Sequence, residues 1–362
     1  MSHRAFYLAG LSALALVAVH GAAAAQTVCP KAPVVLPSGP EGAGPPRIVT
    51  AASVTPSSTA SSVVIKPDVS KQITCGKVAL DIVTDVTYAQ VPGGRPLKLD
   101  ILRPKGAGPL PLVVFVTGGG FVADPKQSEL NLRVYLAEQG FVVASIQYRV
   151  FPDRATYKDG VADVKSAVRF LRSKAGDYGI DPNHVGLWGE SAGGYLVSMA
   201  GLTGASDAFN NDVAASQSSA VSAVVDAFGA ADVSKLAADF DPGAKAAYAH
   251  PMPTNLYVGG LTPAGELADP ASNPLKYVSA SAPPFLLLHG SDDRIVSPSQ
   301  TLAVHEALRA AGGKSTRYVI EGANHGDLGF IGDDKASLPW SSTDTMDVIV
   351  GFFRQTLGVT GR

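Results

Sequence analysis

Between residues 112 and 357, short unbroken apolar runs alternate with longer stretches whose apolar residues recur every three or four positions. Leu112-Val113-Val114-Phe115-Val116 is apolar throughout, as in a strand buried on both faces. Similar short runs lie at 141–146, 185–188, 221–228, 285–288 and 317–320. Residues 159–175 carry Val161, Val164, Val168 and Leu171 at helical spacing, and 127–138, 299–311 and 343–357 are further helix candidates. The alternation predicts an α/β fold, a mostly parallel twisted sheet covered by helices on both faces. Ahead of it, Ile82, Val83, Val86 and Tyr88 lead into Val91-Pro92-Gly93-Gly94. The following Leu97-Lys98-Leu99-Asp100-Ile101-Leu102 alternates apolar and polar, which predicts a hairpin.

The N-terminal quarter reads differently. Ser2-His3-Arg4 is basic, residues 5–19 are almost wholly apolar, and Gly21 to Ala25 are small. That layout predicts a secretory signal peptide over 1–25, cleaved before Gln26. The apolar run is shorter than the ~20 residues a membrane span needs, so no stable anchor is expected after cleavage. The expected location is secreted or periplasmic. Residues 26–72 are rich in Pro, Ser and Ala without a clear period, and are expected to form a tail ahead of a catalytic domain at 73–362. The two cysteines, Cys29 and Cys75, both follow the predicted cleavage site. In an exported chain they most simply form a disulfide, with two free thiols as the alternative. Residues 231–276 are irregular and fit either a cap or substrate-binding insertion or a plain surface excursion.

Composition narrows the function classes. At 46% hydrophobic and 17% charged, the 362 residues can build a sizeable core. The net charge is −2 and there is no Lys/Arg block, so neither a nucleic-acid nor an anionic-membrane partner is expected. No Cys/His group has zinc spacing, and no Walker or G-x-G-x-x-G fingerprint occurs, so no metal or other cofactor is expected.

The chemistry gathers at strand ends. Val185-Gly186-Leu187-Trp188 leads into Gly189-Glu190-Ser191-Ala192-Gly193, and an apolar helical pattern follows. Strand, G-x-S-x-G and helix together form a nucleophile elbow with Ser191 at its apex. The amide of Ala192, at the helix N-terminus, points where an oxyanion would develop. Thr117-Gly118-Gly119-Gly120-Phe121 follows the strand ending at Val116, where a glycine run lets backbone amides turn inward. After the strand at 285–288 come Asp292 and Asp293, either of which could orient an imidazole. After the strand at 317–320 comes His325 within Gly322-Ala323-Asn324-His325-Gly326. His3 and His20 lie in the leader, His184 and His305 read as surface, His250 lies in the irregular stretch, and His289 reads as holding the acid loop. His325 is therefore the candidate base.

Together, Trp188-Gly189-Glu190-Ser191-Ala192-Gly193-Gly194, Gly118-Gly119-Gly120, Gln147-Tyr148-Arg149, His289-Gly290-x-x-Asp293-x-x-Val296 and the His325 motif resemble the α/β-hydrolase superfamily. Within it they most resemble serine esterases related to hormone-sensitive lipase, especially the bacterial feruloyl and acetylxylan esterase-like domain, over roughly residues 83–357. The resemblance implies Ser191 as nucleophile, Asp293 as orienting acid and His325 as base, with the amides of Gly119, Gly120 and Ala192 as oxyanion hole. The sequence departs from the pattern at Thr117, where the family usually has a histidine that braces the glycine loop. The implied activity is hydrolysis of a small-molecule or polysaccharide-linked ester. Phe121, Tyr195 and Trp340 are expected to contact substrate, with Leu328 and Phe330 nearby. A prolyl-oligopeptidase-type serine peptidase and a binding protein on a hydrolase scaffold are the alternatives.

Overall fold

The unbroken apolar runs become the centre of one nine-stranded sheet. The computed structural model describes residues 27–29, 49–248, 253–326 and 335–359. In chain order the strands are β1 (Thr27–Val28), β2 (Val63–Ile65), β3 (Thr74–Cys75), β4 (Leu80–Gln90), β5 (Pro96–Pro104), β6 (Leu110–Val116), β7 (Val142–Ile146), β8 (Ile180–Glu190), β9 (Ala223–Ala227), β10 (Phe285–Gly290) and β11 (Ser315–Ile320). The large sheet has the order β2-β11-β10-β9-β8-β6-β7-β5-β4. It is parallel from β2 to β7, and β5 and β4 are antiparallel. β4 and β5 form the expected hairpin, and β1 pairs with β3 in a separate two-stranded ribbon.

The helices are α1 (Leu130–Glu138), α2 (Tyr157–Ser173), α3 (Ala175–Tyr178), α4 (Ala192–Thr203), α5 (Pro242–Tyr248), α6 (Pro253–Tyr257), α7 (Ser299–Ala310) and α8 (Thr343–Leu357). The alternating sides of each central strand feed two separate cores. Val114, Val116 and Leu187 pack with α2 and α4, whereas Val113, Phe115 and Trp188 pack with α1 and α8. A doubly covered strand reads as a near-continuous apolar run, as β6 does. β7 and β9 each admit one buried polar residue, Ser145 and Asp226, whose side chains are hydrogen-bonded. Among the described residues, no helix is long and apolar enough to cross a membrane.

Two expectations change. The fold starts before residue 73: Val63–Ile65 adds a parallel edge strand beside β11, and Ala51 is buried with Phe240. The Ala51 amide donates to the Arg294 carbonyl, and the buried Arg317 donates to the Ser62 hydroxyl. Three residues of edge strand with exposed valines carry no periodic signal, so this segment reads as a tail. His305 is not at the surface either. It is buried, bridging the Ser315 hydroxyl and the Ser61 carbonyl. Cys29 and Cys75 form a disulfide that closes a separation of 46 residues, worth about 4 kcal/mol in the chain-entropy model. Residues 1–25, expected to be a signal peptide, lie outside the described residues.

Candidate active site

The elbow is a compressed turn between β8 and α4. Ser191 has φ +53° and ψ −118°, a backbone strain costing of order 1–3 kcal/mol for a residue with a side chain. A Cβ at Gly189 would run into the Gly193 carbonyl, and one at Gly193 into the Val116 carbonyl, so only glycine fits at either position. The Ser191 amide donates to the Ala227 carbonyl, tying the apex to β9. Beneath it, buried Asp226 accepts from the Ser198 hydroxyl at 2.7 Å and the Gly229 amide at 2.9 Å. Burial pushes this carboxyl up to about 7.

The loops after β10 and β11 meet the elbow. His325 Nε2 lies 2.8 Å from Ser191 Oγ, and its Nδ1 lies 2.8 Å from Asp293 Oδ2. The carboxylate fixes the tautomer: Nδ1 carries the proton, and Nε2 is left to accept from the serine. Asp293 is fully buried, and its Oδ1 accepts from the amides of Ile295 and Val296, each at 2.9 Å. Burial alone would raise the Asp293 carboxyl. The facing imidazoles of His325 and His289 outweigh it and hold it well below the usual carboxylate range. Asp292 instead turns outward to Arg294, with both side chains well exposed.

Asn324 clips the two loops together. Its Oδ1 accepts from the Arg294 and His325 amides, and its carbonyl accepts from Trp340 Nε1 at 2.9 Å. Behind His325, the Phe228 ring stands edge-on at 4.7 Å and packs against Trp340 at 4.5 Å. Neither Asn324 nor Phe228 stands out from the sequence as a site residue. Asn324 sits inside the quoted His325 motif, where its position was a usable signal. Phe228 adopts a left-handed φ of +45°, which the sequence does not reveal.

The glycine loop after β6 faces the same apex. Gly119 has φ +139°, and a Cβ there would strike the Ala123 carbonyl. A Cβ on Gly118 would stand 3.2 Å from Ser191 Cβ, so the loop lies directly against the elbow. The Tyr148 hydroxyl donates to the Thr117 carbonyl at 3.1 Å, and the Thr254 hydroxyl to the Gly120 carbonyl at 3.2 Å. Phe121 stacks on Tyr257 at 4.6 Å and meets Tyr195 edge-on at 5.4 Å. Part of the irregular 231–276 stretch therefore buttresses this loop through α6, while 249–252 lie outside the described residues.

The three aromatic residues expected to touch substrate are corrected by their burial. Phe121, Tyr195 and Trp340 are 2%, 0% and 5% exposed. The Tyr195 hydroxyl donates to the Ser272 carbonyl. Phe121 and Tyr195 pack with each other in the core, and Trp340 packs against Phe228. An aromatic side chain beside a motif fits a core or a binding surface equally well in sequence, and here the core takes them. Leu328 and Phe330 lie outside the described residues. Among the described residues, no group of three or more His, Cys, Asp and Glu is arranged to hold a metal ion.

The geometry can be set beside known proteins. The BD-FAE family profile matches residues 99–308. The chain belongs to the BD-FAE family. It is 32% identical over 249 residues to "Esterase LipQ" of Mycobacterium tuberculosis, covering 67% of this chain and 56% of that protein. The chain thus spans little more than half the length of that relative. Among solved structures, the propionate-bound esterase Est2 of Thermogutta terrifontis superposes with TM-score 0.60 at 25% identity, over 78% of this chain and 97% of that one. A bifunctional GH43-CE protein of Bacteroides eggerthii superposes with TM-score 0.61 at 28% identity, over 76% of this chain and 38% of that one. The BD-FAE match begins within β5 and ends within α7, so it includes Ser191 and Asp293 and stops before His325.

Proposed function

We propose that this chain is a serine carboxylic-ester hydrolase acting on short acyl esters through an acyl-enzyme. The observation that carries the reading is the unbroken line Asp293 Oδ2, His325 Nδ1, His325 Nε2, Ser191 Oγ, with 2.8 Å at both hydrogen bonds. His325 takes the Ser191 proton as Oγ attacks the ester carbonyl. Asp293 holds the imidazole and stabilises the imidazolium. The alcohol leaves with that proton, and water activated by the same base releases the acid. The amides of Gly119, Gly120 and Ala192 receive the oxyanion, each such donor typically contributing ~3–4 kcal/mol.

The relative named an esterase supports the reaction class, and the propionate-bound neighbour supports a short acyl group. The GH43-CE neighbour favours a carbohydrate-linked ester as the natural substrate. The leader-like layout of residues 1–25 and the Cys29–Cys75 disulfide support export to an oxidising compartment. A mature N-terminus at Gln26 in the exported fraction is the expected result, and an intact Met1 would contradict export.

The test is kcat/KM across acetyl, butyryl, octanoyl and palmitoyl nitrophenyl esters, with a proline amide alongside. A buried methylene contributes about 0.8 kcal/mol only while the acyl pocket has room, so the expected optimum lies between acetyl and butyryl. A rise through octanoyl overturns the short-acyl reading, and preferred cleavage of the amide overturns the esterase reading. Release of acetate or ferulate from acylated xylan tests the carbohydrate reading by itself.

A further inference from the structure

A second histidine touches the triad carboxylate. His289, at the end of β10, is fully buried, and its Nε2 lies 3.2 Å from Asp293 Oδ2 and 3.1 Å from the Val296 carbonyl. Both neighbours can only accept, so Nε2 must carry the proton. On the opposite side, Nδ1 lies 2.9 Å from the Thr301 hydroxyl of α7. That hydroxyl in turn accepts from Arg317 Nε of β11 at 3.1 Å. With Arg317 donating to its oxygen, the Thr301 proton is directed at Nδ1. Its alternative acceptor, the Pro298 carbonyl, is at 3.5 Å and already takes Arg317 Nη2 at 2.9 Å. The hydrogen bonds therefore run in one direction from Arg317 through Thr301 and His289 to Asp293.

We propose that His289 is a positioning residue of the triad, locked by Thr301 and Arg317 as a neutral Nε2–H donor so that Asp293 keeps its full negative charge for His325. The proposal rests on the triad reading above. A cationic His289 would spend the carboxylate's charge on itself and leave less for the His325 imidazolium. Filling Nδ1 with a donated hydroxyl proton makes a second proton costly, because the hydroxyl would have to turn to the Pro298 carbonyl at 3.5 Å. Burial lowers the His289 imidazole first of all, and the Arg317 charge adds to this against the opposing pull of Asp293. The other charged and titratable groups around the cluster are His325 across Asp293, the Asp292–Arg294 pair on the same loop, Tyr248 of α5, whose hydroxyl donates to the Ile295 carbonyl, and Asp239 and Glu306 around Arg317.

The test compares the pH profile of kcat/KM on a short nitrophenyl ester for Thr301→Val, Thr301→Ser and the double variant His289→Gln with Thr301→Val. Loss of the hydroxyl lets His289 take a second proton, so Thr301→Val moves the acid limb upward by about one pH unit, the scale of a buried hydrogen bond. Thr301→Ser keeps the original limb. Gln can donate to Asp293 but cannot become cationic, so the double variant returns to the original limb. An unshifted limb in Thr301→Val, or a shift that persists in the double variant, overturns the proposal. Nitrogen NMR of the unaltered protein reads the tautomer without variants or turnover. An Nε2–H signal for His289 that persists to pH 5 is expected, and an Nδ1–H or cationic His289 at neutral pH overturns it. Failure of the esterase reading would show instead as absent turnover with the tautomer intact.

Discussion

The two sides of the candidate site are held by different physics. The acid and histidine loops after β10 and β11 are fixed by hydrogen bonds: Asp293 takes two amides and two imidazoles, and Asn324 links both loops to Trp340. The glycine loop after β6 is closed by its own backbone, the Gly119 carbonyl taking the Val122 and Ala123 amides and the Phe121 carbonyl the Phe151 amide. Its side-chain support comes largely from rings, with Phe121 between Tyr195 and Tyr257 and single hydroxyls on the Thr117 and Gly120 carbonyls. Directional bonds set a carboxylate or imidazole to within tenths of an ångström. Ring packing sets the height of a loop and leaves its backbone amides available to a substrate. The difference suits the tasks: one side aims a proton transfer, the other supports a surface.

The sharpest way to break this comparison is at the hydrogen-bonded side. Asp293→Asn should lower kcat by about 10⁴-fold, because the amide can favour the wrong imidazole tautomer. Asp292→Asn, which loses only an exposed pairing with Arg294, should stay within a few-fold. Turnover of the two purified variants decides the matter, and a larger loss at Asp292 would reverse the assignment.

On the ring-packed side, Phe121→Ala should cost about 3–5 kcal/mol of stability through its cavity, measured by denaturant unfolding. It should also lower kcat more than it changes KM, since the loop's amides act chiefly in the transition state. Unchanged kcat in a destabilised variant would show that the rings serve the core alone and would dissolve the comparison.

A smaller effect sharpens it beneath the elbow. The Asp226 carboxyl is pushed up to about 7 in the fold from an ordinary 3.8. Between those values the native protein holds a proton that the unfolded chain releases, so this group makes stability fall as pH rises from about 4 to 7 and level off above. Asp226→Asn should remove that slope from a series of melting temperatures, and an unchanged slope would assign it to other groups.

These contrasts also explain what the sequence makes legible. Doubly buried strands are near-continuous apolar runs, so the central strands stand out, and the elbow needs glycine at 189 and 193 for steric reasons visible in the motif. Ser191, Asp293 and His325 follow strand ends for the same reason, and the structure brings them together. Val63–Ile65 is too short and too exposed to leave a pattern. Phe121 and Tyr195 look alike whether they face substrate or core, because ring chemistry does not encode direction. His289 and His325 show the same limit. Both lie at or just after strand ends beside glycine, and only the three-dimensional partners, Thr301 for one and Ser191 for the other, separate a fixed donor from a base.

The central claim, that Ser191 is the one nucleophile, is tested most directly by treating the protein and its Ser191→Ala variant with an organophosphorus ester and reading intact and peptide masses. One adduct per chain on Ser191 is expected, and none on a folded Ser191→Ala protein whose esterase activity has fallen by about 10³-fold or more, on the scale of losing a nucleophile. An adduct on another residue, or a folded Ser191→Ala variant that keeps more than about a tenth of the activity, would contradict it.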